Sequence, residues 1–237
     1  MCIGKRGWSC AALGAALIAG FAGGPARGEI YGGIEFPEGA SSFADFVLTY
    51  DPLYSGGPGP TAPVSLDPLE SLGIPDYSPA TDLGYVTLGR GGLLEVRFGD
   101  NLLTNSGSDL NDLHIFEIGP DVEDTFVAIR PLTTTLALLD PSGDADGDGY
   151  FEVGKVFGAT SSIDIDLYFP GFLPGLLQFD AVQLIDDPNE GQTSGTTVGA
   201  DIDAVGAISS VFVPEPGAIA LAGIGMAAIA VAVRRRK

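Results

Sequence analysis

Asp144-Ala145-Asp146-Gly147-Asp148-Gly149 is the stretch whose residue types and spacing point most directly to chemistry. Acids at alternate positions can turn their carboxylates toward one ion, and a glycine at the sixth position permits the tight bend between them. This is the front half of a calcium-binding loop. The twelfth position is Lys155, where such loops carry a bidentate Glu, so Glu152 at the ninth position is the substitute that remains. No helical periodicity flanks the stretch. The pattern therefore predicts a calcium-stapled β-hairpin, with a solvated acidic turn as the alternative.

Four further groups of acids accompany it: Gly99-Asp100-Asn101, Ser108 to Asp112 leading into His114-Ile115-Phe116-Glu117, Asp186 to Glu190, and Asp201-Ile202-Asp203. All are read as lying in loops. Carboxylate and carbonyl oxygens converging from several loops are what Ca²⁺ takes, because it needs six to eight hard oxygen ligands. Asp100, Asp109, Glu117, Asp201 and Asp203 are expected to ligate it alongside Asp144, Asp146, Asp148 and Glu152. Asp and Asn also cap turns through their own backbone, which is the alternative for any one group. Pairs such as Asp186/Asp187 or Asp201/Asp203 meet the minimum for glycoside hydrolysis, but among this many acids such pairs arise by chance. His114 is the sole histidine, and neither a nucleophile elbow nor a thiol outside the N-terminal segment is present, so no enzyme is expected.

The elements that must position these residues are short. Runs rich in β-branched and aromatic residues, broken by Gly, Pro, Asn and Asp, predict strands over 30–36, 43–50, 85–88, 93–98, 114–118, 125–129, 133–139, 151–157, 162–167, 176–184 and 204–212. At this density they indicate an all-β fold, a single antiparallel β-sandwich of jelly-roll or discoidin-like type spanning 29–212. Within 93–98, alternation puts Leu94, Val96 and Phe98 on the buried face and turns Glu95 and Arg97 outward. Residues 55–63, dense in Gly and Pro, read as a surface loop inside that domain.

Both ends differ in character. Lys5 and Arg6 precede an apolar run over 10–22 and small residues through Gly28, the layout of a secretory signal peptide over 1–28. Cys2 and Cys10 both fall inside it, which leaves the exported part without thiols or disulfides. At the other end Val213-Pro214-Glu215-Pro216 leads into an uninterrupted apolar stretch over 217–233, then Arg234-Arg235-Arg236-Lys237. As a helix that stretch would run about 25 Å, close to a bilayer core, with the basic cluster staying on the cytoplasmic side. Seven of the 11 Lys and Arg and one of the 31 acids lie in these end segments. The part between carries 4 basic and 30 acidic residues, a formal charge of −26, which argues against nucleic acid or an anionic membrane surface as partner and for bound cations.

Val213-Pro214-Glu215-Pro216, the small-residue apolar helix and the terminal arginines together resemble the PEP-CTERM sorting signal of Gram-negative bacteria that make exopolysaccharide. The resemblance implies recognition by an exosortase, a membrane transpeptidase-like protease that processes the tail near Pro-Glu-Pro. It also implies a transiently membrane-anchored protein of the cell surface or extracellular matrix, with exopolysaccharide as a candidate partner. Residues 43–47, 72–77, 86–92, 98–101, 109–110, 115–117 and 199–205 are similar to an uncharacterised family of secreted bacterial β-sandwich domains. That family is laid out like discoidin-type carbohydrate-binding modules, and its recurring acids resemble a structural Ca²⁺ site. The functional expectation is a structural or adhesive surface protein, with calcium-dependent carbohydrate binding as the alternative. Tyr150, Tyr168, Phe169 and Phe172 would form the aromatic platform such binding needs.

Overall fold

The computed structural model describes residues 28–118, 123–158, 160–191 and 194–213. The expected signal peptide up to residue 27, Pro214-Glu215-Pro216, the expected membrane helix over 217–233 and Arg234 to Arg236 lie outside the described residues. Among those described, no helix is long and apolar enough to cross a membrane.

The strands, in chain order, are β1 (Glu29–Tyr31), β2 (Ile34–Phe36), β3 (Phe46–Asp51), β4 (Val86–Thr87), β5 (Leu93–Arg97), β6 (Asn101–Thr104), β7 (Leu113–Ile118), β8 (Thr125–Pro131), β9 (Phe151–Val156), β10 (Thr160–Ile163), β11 (Gln178–Asp186), β12 (Asp201–Ala207) and β13 (Ser210–Phe212), with one short helix, α1 (Thr133–Leu136). Every pairing is antiparallel. The fold is therefore all-β. One sheet runs β10-β7-β12-β4. The larger one centres on β11, which pairs β8 along one edge and β5 and β6 in succession along the other; β9, β3 and β13 complete it.

Alternation explains how the two sheets share one core. Leu94 and Val96 of β5, Val127 and Ile129 of β8, and Val182 and Leu184 of β11 point the same way and are buried in one cluster with Leu113 and Ile115 of β7 and Ile202 and Val205 of β12. Glu95 and Arg97 point away from it, as the alternation requires. On its other face the smaller sheet is roofed by the β1–β2 hairpin, where Phe36, Phe43, Phe116 and Ala204 form a second cluster. Gly32 and Gly33, both at positive φ, make that hairpin possible and split the strand expected over 30–36.

Three other expectations are corrected. The segment 133–139 is no strand. Thr133–Leu136 forms α1 because Leu132 donates its N–H to the Gln178 carbonyl (2.9 Å) and buried Thr135 accepts the Gln178 N–H on Oγ1 (2.8 Å), so tertiary anchoring overrides β propensity. The strand expected over 162–167 ends at Ile163 and gives way to a 3₁₀ turn at Ile165–Leu167, initiated by the Asp164 carboxylate accepting the Asp166 N–H. The strand expected over 204–212 breaks at Ile208-Ser209, where the chain leaves the smaller sheet as β12 and joins the larger one as β13.

Candidate functional site

The β8–β9 pair holds the acidic turn. Its ladder runs from Thr125↔Val156 to Ile129↔Phe151, and the connection between the two strands carries α1, a 3₁₀ turn at Pro141–Gly143 and then the acids. Gly147 and Gly149, at φ 80° and 94°, supply the left-handed backbone that bends the acids back on one another. One carboxylate oxygen from each of Asp144, Asp146 and Asp148 lies within 4.8 Å of the others. Asp144 accepts the Gly147 N–H (2.8 Å) and the Gly149 N–H (3.1 Å), and Glu152 reaches back to the Ala145 N–H at 3.2 Å. Asp148 accepts from Gln183 Nε2 at 2.7 Å, which ties the turn to β11. Lys155, at the twelfth position, turns its ammonium to Asp124 and Asp187 instead of to the turn. The donor set is oxygen only, in an open turn, and that fits a hard cation such as Ca²⁺.

A second group comes from distant segments. Asp112, Asp164 and Asp166 also bring one carboxylate oxygen each within 4.8 Å. Asp112 accepts the Ser106 and Ile165 N–H groups at 2.8 and 3.0 Å; burial raises its pKa to about 6 against those hydrogen bonds. Asp166 accepts from Asn105 Nδ2, the Ser106 hydroxyl and the Gly107 N–H. Asp109 sits beside this group, lining a cavity of about 280 Å³ with Asp164 and Asp166. Asp164 and Asp166 escaped the sequence reading because they lay within an expected strand.

Asp186 and Asp201 are far from Glu117 in sequence, yet the charges of both act on it. All three lie on strands, not in loops. Glu117 shares the inward face of β7 with Leu113 and Ile115, and Ile202, next to Asp201, is its partner across the ladder. Asp186 closes β11 on the face of Val182 and Leu184, accepting the Gly91 and Ala200 N–H groups, each at 2.8 Å. Asp201 accepts the Thr87 hydroxyl. Burial first, then the neighbouring Glu123 and Asp201 charges, push Glu117 up to about 9; burial, then Glu123, Asp82 and Asp186, push Asp201 to about 7; burial, then Asp187, push Asp186 to about 6. Glu117 and Asp201 are expected ligands that the structure places on strands, and an acid on the inward face of β11 was the signal available for Asp186.

The remaining expected ligands stand elsewhere. Asp203 forms the bulge in β12 and accepts the Asp76 and Tyr77 N–H groups at 2.9 and 3.3 Å, stapling that loop to the sheet. Asp100 lies at the β5–β6 break, its carbonyl accepting the Val213 N–H at 2.7 Å. The expected aromatic platform is dismantled, since Tyr150 and Phe169 are buried in the core, leaving Tyr168 half-exposed and Phe172 packed against it.

The last described residues are tied into the larger sheet. Phe212, the last residue of β13, pairs with Asn101, and Val213 follows with its N–H on Asp100, so the sheet continues to the threshold of Pro214. No curated protein and no solved structure matches the chain. The family described as the PEP-CTERM protein-sorting motif matches residues 212–237. The chain thus carries at that end a motif that marks an exported protein for sorting by exosortase at the membrane.

Proposed function

We propose that the protein is a non-enzymatic structural or adhesive component of the surface matrix of a Gram-negative bacterium, its β domain of the discoidin-like sandwich type and stapled by calcium at the Asp144 turn. The observation that supports this reading is the sorting motif matched at residues 212–237, which in sequence follows directly on the last strand of the β domain. Cell fractionation of the producing bacterium tests it. The wild-type chain should accumulate in the surface and matrix fractions in processed form. Replacing Pro214, Glu215 and Pro216 by alanine should leave export intact and hold the unprocessed chain at the inner membrane. Equal matrix accumulation of both would contradict the reading.

One observation favours a second reading, calcium-dependent carbohydrate binding. Beside the acidic turn, the outer face of β8, β9 and β11 holds a cavity of about 350 Å³ lined by Phe126, Asp146, Glu152, Lys155 and Gln183. Phe126 is 43% exposed there, with the Lys155 ammonium 4.6 Å from its ring centroid, so an aromatic face stands next to polar groups as sugar recognition requires. Saturable glycan-array binding lost on Phe126→Ala would favour this reading over a purely structural role.

A further inference from the structure

β3 and β13 stand end to end on one edge of the larger sheet. β3 pairs β5 from Phe46↔Arg97 to Asp51↔Leu93, β13 pairs β6 from Ser210↔Leu103 to Phe212↔Asn101, and β5 and β6 both lie along β11 on their other side. Among the described residues no further strand pairs with either, so this edge is open. Open edges invite strand addition unless they are blunted. Here the register shifts between Val47 and Thr49, which makes Leu48 an extra, bulged residue, and Pro214 and Pro216, lacking N–H groups, cannot carry the ladder of β13 further. The edge is nonetheless apolar: Phe46, Leu48, Val211 and Phe212 are 47%, 39%, 40% and 52% exposed. Arg97 lies with its guanidinium 4.7 Å from the Phe46 ring centroid, and its Nε is buried with no hydrogen-bond partner.

What covers this edge follows from where the chain goes next. The Val213 N–H is bonded to the Asp100 carbonyl and the Asp45 N–H to the Arg97 carbonyl, so the chain leaves the sheet where the two strands meet. Only Pro214-Glu215-Pro216 separates Val213 from the apolar stretch 217–233. Three residues reach about 10 Å at full extension, little more than the headgroup layer of a bilayer, which is about 5–8 Å deep on each side. We propose that, while the tail is anchored, the β3–β13 edge docks on the membrane, with Phe46, Leu48, Val211 and Phe212 against the headgroup–acyl boundary. The inference rests on the membrane anchoring that the sorting motif marks, and it adds which face of the β domain meets the lipid. Arg97 over Phe46 sets a cation beside an aromatic ring, a pairing that suits a phosphate-bearing headgroup above an apolar layer. A second copy of the chain is the poorer occupant. With 4 bases against 30 acids two β domains repel one another, and the bulge at Leu48 interrupts the ladder that a second strand would need.

Tryptophan quenching of the full chain in nanodiscs of phosphatidylcholine with brominated acyl chains tests this; so acidic a domain is repelled by an anionic lipid surface, which is why the zwitterionic lipid is the probe. A Trp8→Phe background leaves each introduced tryptophan as the only one. Phe46→Trp and Leu48→Trp should lose at least half of their emission relative to unbrominated lipid. Phe157→Trp, 65% exposed just after β9 at the far edge of the same sheet, should lose little. In the Leu48→Trp protein, Phe46→Glu with Phe212→Glu, both at exposed positions and therefore compatible with the fold, should return quenching to the Phe157→Trp level, which tethering alone would not do. Phe46→Trp quenched no more than Phe157→Trp, in a chain that co-purifies with the nanodiscs, would overturn the docking and leave the anchoring intact. A chain that fails to co-purify overturns the anchoring and the docking with it. Two chains per disc with Phe46→Trp unquenched would overturn the docking and assign the edge to a second copy.

Discussion

His114 shows how a single buried group sets an acid limit on the fold. It sits on the roofed face of the smaller sheet, its ring edge-on to Phe116 at 4.4 Å, with Nδ1 on the Ser162 hydroxyl and Nε2 buried without a partner. Burial lowers its pKa to about 4, below the unfolded value of 6.5. Between those values the unfolded chain binds the extra proton, so stability present above pH 6.5 is lost as pH falls through 4. The loss approaches about 3 kcal/mol for a shift of this size. Melting temperature should therefore fall more steeply between pH 7 and pH 4 in wild type than in His114→Phe; parallel curves would refute the burial argument. Gly199 makes a steric counterpart. At φ 84° a Cβ would stand 2.4 Å from the Gly89 carbonyl oxygen. Gly199→Ala should cost about 2–4 kcal/mol, whereas Gly171→Ala, at φ 88° in open space, should cost only the left-handed penalty of about 1 kcal/mol. Denaturant melts of the two variants compare them directly.

At the level of elements, α1 is held less by its own residues than by the strand beneath it. Thr135→Val keeps the shape but removes the acceptor for the Gln178 N–H, a part-buried donor, and should cost about 1–2 kcal/mol of unfolding free energy, read from denaturant melts. A cost below a few tenths would show that the helix, and not this bond, carries the anchor. The same contact explains why the segment was opaque in sequence: Thr133-Thr134-Thr135 has strand composition, and only a partner more than forty positions away makes it helical. Strands whose two faces differ were legible, as Leu94 and Val96 against Glu95 and Arg97 show, because the pleat imposes the alternation locally. β6 was hidden by its Asp-Asn start, which reads as a turn but continues β5 along β11. The Asp144 turn was legible for a similar local reason, since its three acids lie within five residues. The Asp112/Asp164/Asp166 group was not, because only the folded chain brings its members together from segments about fifty residues apart.

For the whole molecule, charge is the dominant fact. Between the end segments 30 acids face 4 bases, no cysteine is available to cross-link the chain, and several carboxylates, Asp112, Glu117 and Asp186 among them, are buried. A typical domain is stable by only about 5–15 kcal/mol, so self-repulsion on this scale is a large term unless cations offset it. An ion that binds only the folded state at a hundredfold excess over its Kd adds about 2.7 kcal/mol, which in a domain of this size is worth about 5–10 °C in melting temperature. Millimolar calcium outside the cell would supply that term where the sorting motif delivers the protein.

The most direct test of a calcium-held acidic β domain is a pair of thermal melts of the full chain, one in millimolar Ca²⁺ and one in EGTA, with Mg²⁺ as the control. The account predicts a melting temperature several degrees lower in EGTA, restored by calcium and hardly by magnesium. Superimposed calcium and EGTA curves would contradict it, and the acids would then be turn-formers and a solubilising surface.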